Sequence, residues 1–199
     1  AQPLVLRSYR EPLYTFEVNV NGTANVLEAL RGADHPCTVV IITTDKVYEN
    51  NENGQAYAES DKLGGYDPYS ASKAAAEIVV SSYRNSFFNP LHVNKHGISV
   101  ASARAGNVIG GGDRSENRII PDIVRGIETG QEIIVRNPAS TRPWQFVLEP
   151  LAGYLQLGAA LQQSPAYFAE AWNFGPEEND VLTVKQVVEK ALSIYGKGS

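Results

Sequence analysis

Two spacings of apolar residues alternate along the chain. Between positions 14 and 31, Phe16, Val20, Ala24, Leu27 and Leu30 recur every three or four residues, the spacing of one helical face, and Gly32 closes the segment. A turn from Asp34 to Pro36 leads into Val39-Val40-Ile41-Ile42, a β-branched run that predicts a strand buried on both faces. A polar loop from Glu49 to Asp67, holding Gly54, Gly64 and Gly65, precedes Pro68 and an alanine-rich helix from Tyr69 to Arg84 with room to run to Phe88. Ile98 to Ala103 predicts a second buried strand, ending at Arg104-Ala105-Gly106-Asn107 and the triplet Gly110 to Gly112. A helix follows from Ile119 to Thr129, with Pro121 in its first turn and Gly130 at its end. Glu132 to Arg136 and Pro143 to Val147 are short strand candidates, Glu149 to Gln163 a helix and Ala171 to Phe174 a strand. Thr183 caps a last helix to Tyr195, with Val184, Val187, Val188, Ala191 and Leu192 on its apolar face. Strands alternating with helices of these lengths predict an α/β fold with a parallel sheet.

Composition narrows the class. The 199 residues are 43% hydrophobic and 20% charged, enough for a sizeable core in one or two compact units. No apolar run reaches bilayer length and no basic-then-apolar leader is present, so a soluble, cytoplasmic protein is expected. A net charge of -5 and a pI near 5.3 offer no basic face to nucleic acid or an anionic membrane. The single cysteine, Cys37, precedes an apolar strand and reads as core packing in a reducing compartment. His35, His92 and His96 lack metal-ligand spacing, and no metal is expected.

The first strand ends abruptly in Thr43-Thr44-Asp45-Lys46-Val47-Tyr48, a cluster of hydroxyls, a carboxylate and an amine. The crevice beyond the carboxyl ends of parallel strands is where open α/β sheets bind ligands, although a strand followed by an ordinary polar turn reads the same way. Tyr69 and Lys73, four residues apart, share one helical face; alone they describe a surface pair equally well. Thr44 upstream changes that balance. The order Thr44, Tyr69, Lys73 resembles the extended short-chain dehydrogenase/reductase family, and Asn19-Val20-Asn21-Gly22-Thr23 is similar to that family's Asn-x-x-Gly-Thr helix motif. Thr44-Asp45-Lys46 resembles the nucleotide-sugar 4,6-dehydratase signature within it. Lys46 after the aspartate, together with the stretches 63–70, 105–113 and 142–150, is similar to the branch acting on CDP-glucose; the branch acting on UDP-N-acetylglucosamine shares the lysine.

The resemblance implies NAD as cofactor and a nucleotide sugar, CDP-glucose first, as substrate. In that scheme Tyr69 takes the proton of the sugar 4-hydroxyl, Thr44 holds that oxygen, and Lys73 binds the cofactor ribose and lowers the tyrosine pKa. Thr43 is a further cofactor contact. The requirement is attainable: a tyrosine base at neutral pH must lose about 3 pKa units, roughly 4 kcal/mol. One lysine at about 5 Å supplies roughly 3 kcal/mol at an effective dielectric of about 20, and a cationic nicotinamide the rest. Lys46 is the expected base at carbon 5 and Asp45 the acid for the departing 6-hydroxyl, a pair whose pKa values burial must push toward each other. Arg142 is the candidate for the diphosphate, since a guanidinium grips two phosphate oxygens, and Asn107 and Asn173 are candidates for sugar or phosphate contacts. A surface arginine and turn-forming asparagines are the alternatives.

By the same resemblance, 1–112 and 141–175 are expected to form the remainder of a Rossmann domain, and 113–140 and 176–199 parts of a smaller substrate domain. The glycine-rich turn and acidic residue that hold a dinucleotide are absent from the sequence, so a middle fragment is expected, poorly stable or oligomeric alone, with non-catalytic nucleotide-sugar binding or assembly as the alternative. A homodimer through 14–31 and 69–88, working in surface-polysaccharide synthesis, completes the expectation.

Overall fold

The computed structural model describes residues 1–50, 56–177 and 181–196; Gly54 of the loop lies outside them. In chain order the helices are α1 (Val5–Arg10), α2 (Pro12–Phe16), α3 (Gly22–Arg31), α4 (Pro68–Ser86), α5 (Val93–His96), α6 (Ile119–Thr129), α7 (Leu148–Gln163), α8 (Pro165–Phe168) and α9 (Val184–Tyr195). The strands are β1 (Cys37–Ile42), β2 (Ile98–Ala105), β3 (Asn107–Ile109), β4 (Thr141–Arg142), β5 (Trp144–Phe146), β6 (Ala171–Phe174) and β7 (Leu182–Thr183). The chain divides into two compact units, Ala1–Ala105 with Leu151–Phe174, and Gly106–Pro150 with Gly175–Ser199.

The first unit is a parallel sheet in the order β1-β2-β6, with Val39 opposite Val100 and Arg104 opposite Asn173. Every residue of β2 is buried, because alternate side chains enter two different cores. On one face Ile98 and Val100 pack with Leu27 of α3 and with Val80 and Phe88. On the other, Ala101 and Ala103 meet Leu157 and Leu161 of α7 and Ala169. Leu27 and Val80 are fully enclosed, and burying each stabilises the fold by about 1.5–3 kcal/mol. Cys37 packs against the first of these cores, as expected.

β1 departs from expectation. Its side chains are only partly buried and Ile42 is 42% exposed, since β1 pairs on one side only and forms an edge of the described sheet. The helix expected over 14–31 is interrupted by a π-helical turn, Glu17–Asn21, between α2 and α3. Periodicity alone did not show that turn, nor α1.

The second unit joins β3 to β5 in parallel and β4 to β7 antiparallel, with α6 packed against α9. α6 runs over the expected residues and ends at Gly130 in the left-handed region, φ 66°. α9 opens on a capping box, Thr183 accepting from the Gln186 amide while Gln186 accepts from the Thr183 amide. No strand forms over 132–136: Gln131 bonds back to the Gly126 carbonyl, and Ile133 fills the space where a side chain at Gly126 would stand, so the segment folds onto α6 instead of a sheet edge.

Candidate active site

The ladder of the central sheet runs one residue past β1, the Thr43 amide donating to Ala103 O at 2.8 Å. The chain then leaves the sheet. Thr44, extended at φ -166°, caps a single 3-10 turn, Asp45–Val47, by accepting from the Lys46 amide. Val47 at its end and Tyr48 beyond it are buried against Ala74 of α4, which fixes the turn at the strand end. Thr44 is buried, and its hydroxyl donates to Asp45 Oδ1 at 3.0 Å. Lys46 Nζ lies 3.5 Å from the same oxygen. This pair is open, with side chains 40% and 33% exposed. The buried pair expected from the sequence is not what forms, because the turn lies outside the sheet that would have covered it.

α4 starts where Asp67 accepts from the Tyr69 and Ser70 amides, with Pro68 in the first turn. The loop before it reaches the helix closely: a Cβ on Gly65, whose φ is 121°, would stand 2.4 Å from the Ala71 nitrogen, so only glycine fits. Tyr69 and Lys73, one turn apart, are both buried. Lys73 Nζ donates to Ile42 O at 3.1 Å, joining the face of α4 that bears Tyr69 and Lys73 to the end of β1. Burial pushes the Lys73 pKa down, opposed by the charge of Glu77.

The Asn-x-x-Gly-Thr motif acts from behind that helix. Asn19, in the π turn, donates to Ser72 Oγ at 2.9 Å and to Gln2 O, and accepts from the Gln2 amide; Ser72 in turn donates to the Tyr69 carbonyl. The turn bearing Tyr69 is therefore tied to Gln2 and to the helix of residues 12–31.

Thr43 does not stand free for a ligand. Its hydroxyl donates to Glu77 of α4, which also accepts from Ser102 Oγ at 2.7 Å and from Arg104 at 3.1 Å. Arg104 and Glu77 form a buried ion pair, side chains 5% and 3% exposed. Burial draws the Arg104 pKa down, but Glu77 and Tyr48 outweigh it and hold the guanidinium above its usual value. Arg104 donates on to the Tyr48 hydroxyl at 2.8 Å, and Tyr48 donates to Asn173 Oδ1 at 2.6 Å. Asn173 donates to Tyr57 O at 2.9 Å. Its side chain is thus engaged with the loop, and a ligand contact through it requires those bonds to be exchanged.

The sequence reading singled out neither Glu77 nor Tyr48. A usable signal existed for Glu77, since Tyr69, Lys73 and Glu77 continue one spacing of four along a single face. The remaining candidates lie in the second unit. Asn107, first in β3, keeps a buried Oδ1 without a hydrogen-bond partner among the described residues. Arg142 is exposed on β4, donating to its neighbour's carbonyl. No group of His, Cys, Asp and Glu among the described residues could hold a metal ion, and no described helix is long and apolar enough to cross a membrane.

Comparisons with known proteins bear on this arrangement. Residues 1–173 match the family described as NAD dependent epimerase/dehydratase. The chain is 50% identical over 196 residues to CDP-glucose 4,6-dehydratase of Salmonella typhimurium, covering 98% of this chain and 55% of that protein. It is 31% identical over 200 residues to dTDP-glucose 4,6-dehydratase of Streptomyces antibioticus, covering 100% and 54%. Among solved structures, DesIV, the dTDP-glucose 4,6-dehydratase of Streptomyces venezuelae with NAD and TYD bound, superposes with a TM-score of 0.77 at 25% identity, over 98% of this chain and 55% of that one. The chain spans about half the length of these two curated relatives.

Proposed function

The chain belongs to the NAD-dependent epimerase/dehydratase family, and from that premise we propose that it carries the chemical centre of a nucleotide-sugar 4,6-dehydratase that converts CDP-glucose to its 4-keto-6-deoxy product. The observation that carries the reading is the junction at the end of β1. Lys73 Nζ sits on Ile42 O, and Thr44, Asp45 and Lys46 follow within one turn.

The residues present suit NAD in their donor chemistry. Among the described residues the Lys73 ammonium donates only to Ile42 O, which leaves two of its three N–H donors for ribose hydroxyls. NAD, when bound, would supply the hydride acceptor for carbon 4 and the donor for carbon 6. The protein's own part is proton transfer. Thr44 holds the 4-oxygen, Tyr69 removes its proton, and the resulting ketone acidifies carbon 5. Lys46 removes the proton from carbon 5, Asp45 delivers one to the departing 6-hydroxyl, water leaves, and Lys46 returns its proton to carbon 5 once carbon 6 is reduced.

Lys46 in place of a carboxylate supports a CDP-sugar over a dTDP-sugar. Asn107, with its partnerless buried oxygen, and Arg142, exposed with guanidinium donors to spare, are proposed contacts for the sugar nucleotide. Leu13, Tyr14 and Val26 on the helical segment of residues 12–31, and Ile78 and Phe87 at α4, are exposed apolar side chains that support a homodimer through these helices.

The test uses the full-length protein that carries this chain, given NAD and CDP-glucose deuterated at carbon 4. A product lighter by one water, with deuterium at carbon 6, is the expected outcome. Deuterium lost to solvent, or preferred turnover of dTDP- or UDP-sugars, would sink the assignment.

A further inference from the structure

Glu77 is a fully engaged buried carboxylate where the carboxyl-terminal ends of β1 and β2 meet α4. One oxygen accepts from the Thr43 hydroxyl at the end of β1; the other accepts from Ser102 Oγ and Arg104 on β2. Glu77 lies one helical turn beyond Lys73 on the same face of α4. None of the steps assigned to Tyr69, Thr44, Asp45 or Lys46 uses Glu77.

We propose that Glu77 is the positioning residue of this centre: its carboxylate sets the end of β1 against α4 and keeps an anion beside Lys73, so that the ammonium stays charged next to the turn that carries Tyr69. The inference rests on the dehydratase reading for its effect on turnover, but not for its effect on Lys73.

The geometry explains why one residue can do both. β1 leaves the sheet directly after Thr43, so the Thr43 hydroxyl is the last point at which the strand end can be held before the reactive turn. Lys73 reaches that same strand end through Ile42 O. The groups facing Glu77 are Thr43 from β1, Ser102 and Arg104 from β2, and Lys73 on its own helix; Arg84, two turns further along α4, also feels its charge. Arg104 is neutralised by the carboxylate it contacts, which leaves Lys73 dependent on the same anion against the cost of its own burial. A glutamine at 77 keeps the shape, removes the charge, and turns one acceptor into a donor facing hydroxyl or guanidinium donors.

The experiment compares Glu77→Gln, the double variant Glu77→Gln with Arg104→Gln, and Glu77→Asp in the full-length protein. In both Gln variants the alkaline limb of kcat is expected to move down by about one pH unit and kcat to fall about tenfold, with KM for CDP-glucose within about twofold. Glu77→Asp, which retains the charge, is expected to keep the alkaline limb in place. The double variant leaves no unpaired buried arginine; if it restores the parental pH profile, Glu77 is only the counterion of Arg104 and the proposal is overturned. Insolubility of both Gln variants would reduce Glu77 to a folding determinant and overturn it equally. The Lys73 titration, followed by NMR of [ε-13C]lysine with Lys73→Arg for assignment, is independent of turnover. A downward shift in the double variant supports the proposal even where the parent protein proves inactive on every nucleotide sugar, an outcome that would sink the dehydratase reading alone.

Discussion

Two ion pairs flank the end of β1, and they are built in opposite ways. Arg104 and Glu77 meet at 3.1 Å, nearly sealed from solvent, and Glu77 collects two hydroxyl donors besides. Lys46 and Asp45 meet at 3.5 Å across a single turn, with more than a third of the lysine side chain in solvent. The first pair repays its desolvation only because each partner is bonded several times; the second has little to lose by separating. The contrast teaches which charges are fixed in the scaffold and which are open to solvent and to a ligand.

The comparison breaks most visibly on the open pair. Lys46→Met should lower dehydration by about 10²–10⁴-fold, the range of a lost general base, while leaving unfolding free energy within about 0.5 kcal/mol. Turnover assays beside urea titration check both halves, and unchanged turnover would remove Lys46 from the chemistry. The buried pair should behave in the reverse order. Arg104→Ala strands the Glu77 carboxylate and is expected to cost about 3–5 kcal/mol, read as a lower urea midpoint. Further back, Asn19→Ala removes the bonds to Ser72 and Gln2 and should cost about 1–3 kcal/mol.

The smallest effect sharpens the position of Lys73, which lies between the two pairs. Its folded pKa is lowered by burial, so through the window between that value and the unfolded value the unfolded chain binds more protons. The stability cost of the buried charge is therefore fully present below the folded value and is relieved as pH rises from there toward the ordinary lysine range. Lys73→Met should flatten that rise in a series of urea titrations at increasing pH.

Much of the fold was legible because it rests on periodicity. α6, β6 and α9 fall where apolar spacing, Pro121, Gly130 and Thr183 put them, and Ile98 to Ala103, apolar or small throughout, correctly signalled a buried strand. β1 carries a similar run yet is half open, since burial depends on the number of neighbouring strands, which spacing does not encode. For the same reason the sequence could name Asp45 and Lys46 but not their exposure. The polar cluster of Thr43, Glu77, Ser102, Arg104 and Tyr48 was harder still. Its members come from α4, from β2 and from the residues on either side of the 3-10 turn, and only tertiary contact turns a scattered serine and a strand-end arginine into one network.

The π turn at Glu17–Asn21 has a consequence for how this segment can change over generations. At about 100° per residue, an unbroken α-helix would leave buried Thr15 and buried Leu27 about 120° apart around the axis; absorbing one residue in the π turn brings them to within about 20°. The extra residue acts as a phase correction. Deleting one residue there would restore an ordinary helix and still leave Thr15 and Leu27 about 20° apart, whereas losing a second would turn Leu27 about 80° away from that face. The π turn thus lets the segment hold one residue more than an ordinary helix needs without turning Leu27 from the core.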